Sequence, residues 1–410
     1  MTVQVLLDET PFGVRGAVLQ DETPVKLLHF FHDDPAPRTG ELYWAKIGRR
    51  DSRLGSVVCD LGEGREGLLP VKDRSYTEGQ SVPVAIRREG IGDKRPLLTD
   101  RPLLKLPAAT LALEEGAEVR PGPLGRLEVP TALVPSITQP PSSAGRIDRV
   151  PPIVRLLTSL AASSVEEIVA NSGTLLASLQ GLVPDGLTLA VSDQIPMVLN
   201  AIEDDAMARV LALEGGGALI IDEAEALTAI DLDLGASTGQ SKKGADSALL
   251  RRALQSLGPA LSLRGIGGQV VIDLPRGAVR APKMIREQLT AVLKPFGLMS
   301  VPAVTKEGLV VLIFGQERMP IRAHLTEDVS GAFIVPPRAY RAPVVAQRAY
   351  AGLREMLQTK PSKTFCLRLR PDAFAVWTAS QANVVLRDTF TERFVIEQSN
   401  TEDFTIEVSS

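Results

Sequence analysis

Three aspartates raise the first chemical question. In the run Ile220-Ile221-Asp222-Glu223-Ala224-Glu225-Ala226-Leu227-Thr228-Ala229-Ile230-Asp231-Leu232-Asp233, two apolar segments flank an acidic turn. The second segment reads as a strand, whose period of two sets Asp231 and Asp233 on one face and Ile230, Leu232 and Leu234 on the other. Neighbouring carboxylates repel, so a bound cation would relieve them. Further on, Arg264-Gly265-Ile266-Gly267-Gly268-Gln269-Val270-Val271-Ile272-Asp273 repeats the pattern, with a glycine turn, a buried strand and an aspartate at its carboxyl end. Sites in open α/β sheets form beyond the carboxyl ends of strands, where Asp231 and Asp273 meet if their strands are neighbours. Hard oxygen ligands, few in number, suit Mg²⁺ or Mn²⁺, which keep several waters and bind substrate phosphates. The chemistry implied is phosphoryl transfer or phosphodiester hydrolysis. An aspartate at a strand end also serves as a turn former or a helix cap. Around Asp273, eight basic residues (Arg251, Arg252, Arg264, Arg276, Arg280, Lys283, Arg286, Lys294) stand against Asp273 and Glu287 between Ser247 and Ser300. Such an excess beside buried acids fits a polyanion cleft; a solvated helix face accounts for it equally.

The elements that must hold these residues belong to a chain of 410 residues, long enough for two to three domains at roughly 150 residues each. With 44% hydrophobic and 23% charged residues and a net charge of −4, it has an ordinary globular balance that names no partner. Cys59 and Cys366, the two cysteines, support neither a disulfide framework nor a thiolate zinc cluster and point to a reducing compartment. Asp8 and Glu9 interrupt any leader-like start, and apolar runs such as Leu309 to Phe314 are too short to span a bilayer, so a cytoplasmic protein without a membrane segment is expected. Three histidines and 4% aromatics disfavour a His-centred site and a broad base-stacking surface. His29 and His32 read as surface or packing residues. Gly215-Gly216-Gly217 precedes a strand, so it lacks a phosphate-loop context, and no G-x-S-x-G elbow is present.

Along the chain, Val3 to Leu7 and Val14 to Leu19 form a hairpin about Pro11-Phe12-Gly13. Five short strands follow between Gly40 and Thr99 (Leu42 to Ile47, Gly55 to Asp60, Gly67 to Leu69, Ser81 to Arg87, Arg95 to Thr99), the pattern of a small oligonucleotide-binding barrel. A connector at 121–152 holds eight prolines. Helices are predicted from Ile153 to about Leu182 and from Pro196 to Leu213. Next come strands Ala218 to Asp222 and Ala226 to Asp233, a helix Ser247 to Leu263, a strand Gln269 to Leu274, a helix Ala281 to Leu293 and a strand Leu309 to Phe314, an α/β layer. A helix Pro343 to Gln358 and strands Thr364 to Arg370, Arg393 to Glu397 and Phe404 to Val408 form a small α+β unit.

Glu225-Ala226-Leu227-Thr228-Ala229-Ile230-Asp231 and the run Arg264 to Asp273 resemble the two metal-ligand segments of the ribonuclease E/G family of bacterial endoribonucleases, in a short ribonuclease G-like form. Val57-Val58-Cys59-Asp60-Leu61-Gly62 and Gly67-Leu68-Leu69-Pro70 are similar to anchors of that family's S1-type RNA-binding domain. The fold implied is a multidomain α/β chain. It has a ribonuclease-H-like subdomain (1–39 and 100–213) into which an S1-type barrel of the oligonucleotide-binding class (40–99) is inserted, a DNase-I-like catalytic subdomain (214–325) and a small α+β domain (326–410). The resemblance implies Mg²⁺-dependent hydrolysis of single-stranded RNA leaving a 5′-phosphate, in RNA processing or decay. Asp231 and Asp273 would hold the metal, and Asp233, where many members have Asn, would orient water or the scissile phosphate. Lys94, Arg95 and Arg264 are the expected RNA contacts. Departures are Val58 and Leu68 at barrel positions usually aromatic, Leu250-Arg251-Arg252-Ala253 for Asn-Leu-Glu-Ala, Arg276 where an acid often follows, and no evident Arg-Thr pair for sensing a 5′-phosphate. The Cys-x-x-Cys zinc link is absent, which leaves a homo-oligomer open by other routes. The alternative to the enzyme is an RNA-binding protein of the same fold with weakened catalysis.

Overall fold

The computed structural model describes residues 2–32, 34, 36–39, 41–71, 75–90, 94–100, 103–105, 109–112, 120–121, 142–147, 156, 165–179, 187–214, 216–233, 242–274, 282–316, 318–329 and 338–409; of residues 103–105, 109–112, 120–121, 178 and 242–249 it describes the backbone. The chain divides into two compact units. One comprises 1–22, 28–200 and 323–410, and the other 23–27 and 201–322.

The first unit opens with the expected hairpin, β1 (Val3–Thr10) and β2 (Gly13–Gln20), with Val3 opposite Gln20 and Thr10 opposite Gly13. A third strand, β3 (Thr23–Phe31), lies beside β2. Strands β4 (Leu42–Asp51), β5 (Ser56–Gly62), β6 (Arg65–Pro70), β7 (Ser81–Arg88) and β8 (Leu97–Thr99) close on themselves through a β4–β7 pairing. This closed five-stranded barrel is the one expected from the strand spacing. Tyr43, Ile47, Val57, Leu61, Leu69, Val84 and Leu98 fill it. Strands β9 (Leu103–Lys105), β10 (Ala109–Ala112) and β11 (Arg120–Pro121) make a small sheet. Most of the proline-rich connector lies outside the described residues; within it β12 (Gly145–Arg146) adds to β4.

The helix predicted from Ile153 to Leu182 is corrected where the chain is described. Glu167–Ala170 is strand β13, parallel to β1, and a helix occupies Gly173–Leu179. Ile168, Val169 and Ala170 are consecutive and buried, because a parallel strand between two neighbours is covered on both faces and so has no alternation to distinguish it from a helix. Strand β14 (Thr188–Val191) extends the sheet to the order β14-β13-β1-β2-β3.

The helix predicted from Pro196 to Leu213 spans Ile195–Met207, of which 195–200 fall in the first unit and 201–207 in the second, and Val210–Ala212, in the second unit, is instead β15. Strands β16 (Ala218–Glu223), β17 (Thr228–Asp233), β18 (Gly268–Asp273), β19 (Leu298–Val304) and β20 (Leu309–Phe314) complete a six-stranded sheet of order β15-β16-β17-β18-β20-β19. Helices Lys242–Arg264 and Pro282–Leu293 cover one face. Leu254, Leu257 and Leu261 from one, and Ile285, Leu289 and Leu293 from the other, pack with Ile230, Leu232, Val270, Ile272, Val310 and Leu312 in a single core.

The remainder of the first unit holds β21 (Thr326–Asp328), paired with β22 (Arg338–Tyr340), and then the expected α+β unit. In it β23 (Phe365–Leu369) runs parallel to β24 (Phe394–Gln398) and antiparallel to β25 (Phe404–Val408), beside helix Ala342–Thr359. Two further helices, Pro371–Ala379 and Ala382–Phe390, were not read from the sequence; the fully buried Trp377 anchors the first of them.

Candidate active site

Strand β17 alternates as its sequence dictates. Thr228, Ile230 and Leu232 are buried, and Ala229, Asp231 and Asp233 are exposed on the face without helices. Strand β18 runs parallel to it and in register, with Ile230 opposite Ile272 and Asp231 opposite Asp273. The two carboxylates therefore stand side by side on adjacent central strands, with Asp233 two residues beyond on the same face, about 7 Å along the strand. All three are exposed, which corrects the expectation of buried acids. Among the described residues no hydrogen bond or ion pair reaches the carboxylate of Asp231 or Asp273. Like charges set directly across strands repel. The donor set, two hard carboxylates open to water, fits a divalent cation that retains waters and accepts phosphate oxygens. Among the described residues no three His, Cys, Asp or Glu side chains form a metal-holding group.

Local backbone chemistry fixes this pair. Gly308, at φ +113°, closes the β19–β20 turn, where an added Cβ would lie 2.2 Å from the Leu274 carbonyl oxygen and 3.7 Å from Asp273 Oδ1. Its carbonyl accepts from Leu274 N at 3.0 Å. A residue without a side chain thus brings β20 against the end of β18.

Around the carboxylates the open face is mostly aliphatic. Ile220 is opposite Asp231, Leu309 opposite Asp273, and Val210 opposite Ile220. Val210 and Leu309 are 51% and 44% exposed. One other acid on this face is neutralised. Arg209 Nε and Nη2 donate to the Asp222 carboxylate at 2.5 and 2.8 Å, and these bonds hold that carboxyl below its usual range. The face shared by Val210, Ile220, Val271, Val311 and Leu309 was not visible in the sequence, because Val210 was read as helical and Val271, Val311 and Leu309 lie in unbroken apolar runs.

The helix-borne basic residues that precede and follow Asp273 in the chain lie elsewhere where they are described. Lys283, Arg286 and Lys294 are exposed on the helical layer that covers the other face of the sheet. The solvated-helix reading therefore holds for them; Arg276 and Arg280 fall outside the described residues. Arg252 Nη1 donates to the Glu214 carbonyl at 2.6 Å. Arg264, expected to touch RNA, is 2% exposed, and its guanidinium donates to the carbonyls of Ala260, Asp205 and Ala208 at 2.8 to 3.2 Å. Those backbone acceptors at helix ends need a fixed donor, so Arg264 is a brace and not a surface contact. On the barrel, Lys94 is exposed, and Arg95 donates to Glu66 at 2.7 Å. Val58 is buried and Leu68 half-buried. Burial pushes the Cys59 thiol up to about 12, and the protonated thiol is no nucleophile. His29 and His324 are buried, whereas His32 is exposed. Among the described residues no helix is long and apolar enough to cross a membrane.

Part of the chain is similar to known proteins. Residues 149–310, which contain all three aspartates, match the Ribonuclease E/G family. A putative ribonuclease E of Buchnera aphidicola is 24% identical over 361 residues, covering 68% of this chain and 86% of that protein. Ribonuclease G of Escherichia coli K12 is 24% identical over 276 residues, covering 67% of this chain and 50% of that protein, so the chain spans about half its length. Over residues 149–310 the chain is thus similar to the ribonuclease E/G family.

Proposed function

We propose that the chain is a metal-dependent endoribonuclease that hydrolyses phosphodiester bonds in single-stranded RNA. The observation that carries this reading is the register of β17 and β18, which sets Asp231 against Asp273 on an open sheet face within the family-matched region. We read the six-stranded sheet as the DNase-I-like catalytic subdomain and the β14-β13-β1-β2-β3 sheet as ribonuclease-H-like, with the barrel as its inserted S1-type domain. Asp231 and Asp273 would hold Mg²⁺, or Mn²⁺, by carboxylate oxygens. When bound, such an ion lowers the pKa of water and neutralises charge growing on the phosphoryl oxygens. Asp233, further along the same face, orients the attacking water or the scissile phosphate. Water attacks phosphorus, the bond to the 3′ oxygen breaks, and that oxygen takes up a proton, leaving a 5′-phosphate and a 3′-hydroxyl. Lys94, exposed on the barrel, supplies a phosphate contact.

The test is incubation of 5′-labelled single-stranded RNA with the protein and Mg²⁺, with Mn²⁺, or with EDTA, beside Asp231→Asn and Asp273→Asn. Cleavage is expected from the wild type with metal and a loss of roughly 100-fold or more in each variant, since each removes several kcal/mol of charge stabilisation. Equal cleavage by the variants, or cleavage in EDTA, refutes it. A second reading, an RNA-binding protein with weakened catalysis, is favoured by the aliphatic Val58 and Leu68 on the barrel, which forgo base stacking, and by Arg252 between the two aspartate segments. It predicts RNA binding without cleavage under every metal.

A further inference from the structure

The barrel offers RNA two unlike surfaces. On β5 and β6, Asp60 stands directly opposite Glu66, and both are exposed. Lys46 is opposite Asp60, Arg95 is paired with Glu66 at 2.7 Å, and Arg65 with Glu63 at 2.7 Å. Each cation on this face already has a carboxylate beside it, so a polyanion gains little there.

The β4–β5 hairpin end is different. Ile47 pairs with Cys59 but Arg50 with Val57, so β4 carries one extra residue, a β-bulge. Gly48 sits in it, where an added Cβ would lie 2.9 Å from the Val58 carbonyl oxygen. The bulge breaks the alternation of the strand, and two consecutive arginines, Arg49 and Arg50, both become exposed. Arg53 follows in the turn. The nearby acid, Asp51, accepts from the backbone N–H groups of Arg53 and Leu54 at 3.0 and 3.2 Å. Among the described residues no ion pair engages the side chains of Arg49, Arg50 or Arg53.

Beside these arginines opens a cavity of about 410 Å³. Ile47 and Val57 of the barrel core line it, together with Arg50, Tyr76 and Glu78. The Tyr76 hydroxyl donates to Asp100 at 2.7 Å, which holds the ring against the barrel. We propose that this cavity takes one base of a single-stranded RNA, with the flanking phosphates on Arg49, Arg50 and Arg53. The aliphatic floor and the tyrosine ring contact the face of the base, and the Glu78 carboxylate accepts from its amino or imino N–H groups. The volume lies within the range of about 300–1,000 Å³ typical of small-ligand sites, and the loop joining the first two strands is among the surfaces that such barrels use. The proposal rests on the reading that the chain acts on RNA, though not on cleavage.

The test uses the full chain carrying Asp231→Asn and Asp273→Asn, with a fluorescein-labelled 12-nucleotide single-stranded RNA read by anisotropy. Adding Arg49→Gln, Arg50→Gln and Arg53→Gln is expected to weaken binding roughly tenfold or more at low salt. The slope of log Kd against log salt should fall by about two, since each contact to a single strand contributes about 0.7. Lys46→Gln with Arg65→Gln should shift Kd less than about twofold, and thermal melting of each variant confirms that it folds. RNA containing 4-thiouridine should crosslink within residues 47–57 or 75–78 on peptide mapping. Full binding by the triple variant, or crosslinks confined to β5 and β6, overturns the proposal while leaving the RNA reading intact. An unaltered chain that binds no RNA overturns both.

Discussion

Asp231 and Asp273 illustrate how little room a single residue leaves. Each is exposed on a strand whose alternate residues are buried, so neither can turn away from the other without exposing Ile230 or Ile272 to water. Their repulsion is therefore built into the register and is relieved only by a cation or by removal of a charge. Without divalent ions, Asp231→Asn is expected to leave stability unchanged or raise it by about 0.2–1 kcal/mol, the scale of a cross-strand pair. Mg²⁺ should raise the melting temperature of the wild type and not that of Asp231→Asn or Asp273→Asn, because only a site that binds the folded state stabilises it. Differential scanning fluorimetry across a Mg²⁺ titration reads both effects, and an equal Mg²⁺ response in all three proteins would remove the cation site. Arg264 carries the opposite lesson. Its charge suggested a surface contact, whereas its guanidinium is occupied by three backbone carbonyls.

At the scale of elements, strands marked off by turns or by alternation were legible. The five barrel strands stand out because turns rich in glycine and charge space them regularly, and β17 because one of its sides meets water. Glu167–Ala170 was read as helix because three successive apolar residues fit either geometry, and only pairing to β1 decides between them. Strand β19 was missed since its pairing with β20 contains register shifts that blur its period. Helices Pro371–Ala379 and Ala382–Phe390 were missed because short helices carry too few turns for a periodic signal. Two predictions belong here. Gly308→Ala should destabilise the protein by more than about 1 kcal/mol, from both the positive φ and the close Leu274 carbonyl, in denaturant titration. Ile272→Ala, in the core beneath the carboxylates, should cost about 2–5 kcal/mol by the same measurement.

At the scale of the whole chain, buried ion pairs join distant segments of the first unit. Arg341 donates to Asp34, 307 positions away, at 3.2 and 3.3 Å; Arg38 pairs with Asp34 at 2.7 Å and with Glu89 at 3.3 Å. Burial alone would raise the Asp34 carboxyl, but Arg38 and Arg341 outweigh it and hold it well below the usual carboxylate range. Burial pushes His324 well below its ordinary value, and its Nε2 lies 3.1 Å from the His29 carbonyl oxygen. Both signs point the same way. The unfolded chain takes a proton on His324 that the folded one refuses, so stability falls as pH drops below about 6.5. The Asp34 contribution is complete above about pH 3.9 and is lost as pH falls toward its depressed folded value. Urea midpoints measured from pH 8 to pH 3 should therefore decline from about pH 6.5 and more steeply below about pH 4. Replacing His324 by Leu should flatten the upper part of that decline. Asp34→Asn should cost about 3–5 kcal/mol at pH 7, since it leaves Arg38 and Arg341 short of a buried counter-charge.

Residue order alone determined which side chains share a strand face, where the barrel strands fall, and that Asp231, Asp233 and Asp273 sit at strand ends, because these follow from local sterics and a period of two. The pairing of β17 with β18, the face the helices leave open, and the burial of Arg264 were settled by tertiary structure alone. Each depends on which distant segment shields a given surface from water, and no local stretch of chain carries that information.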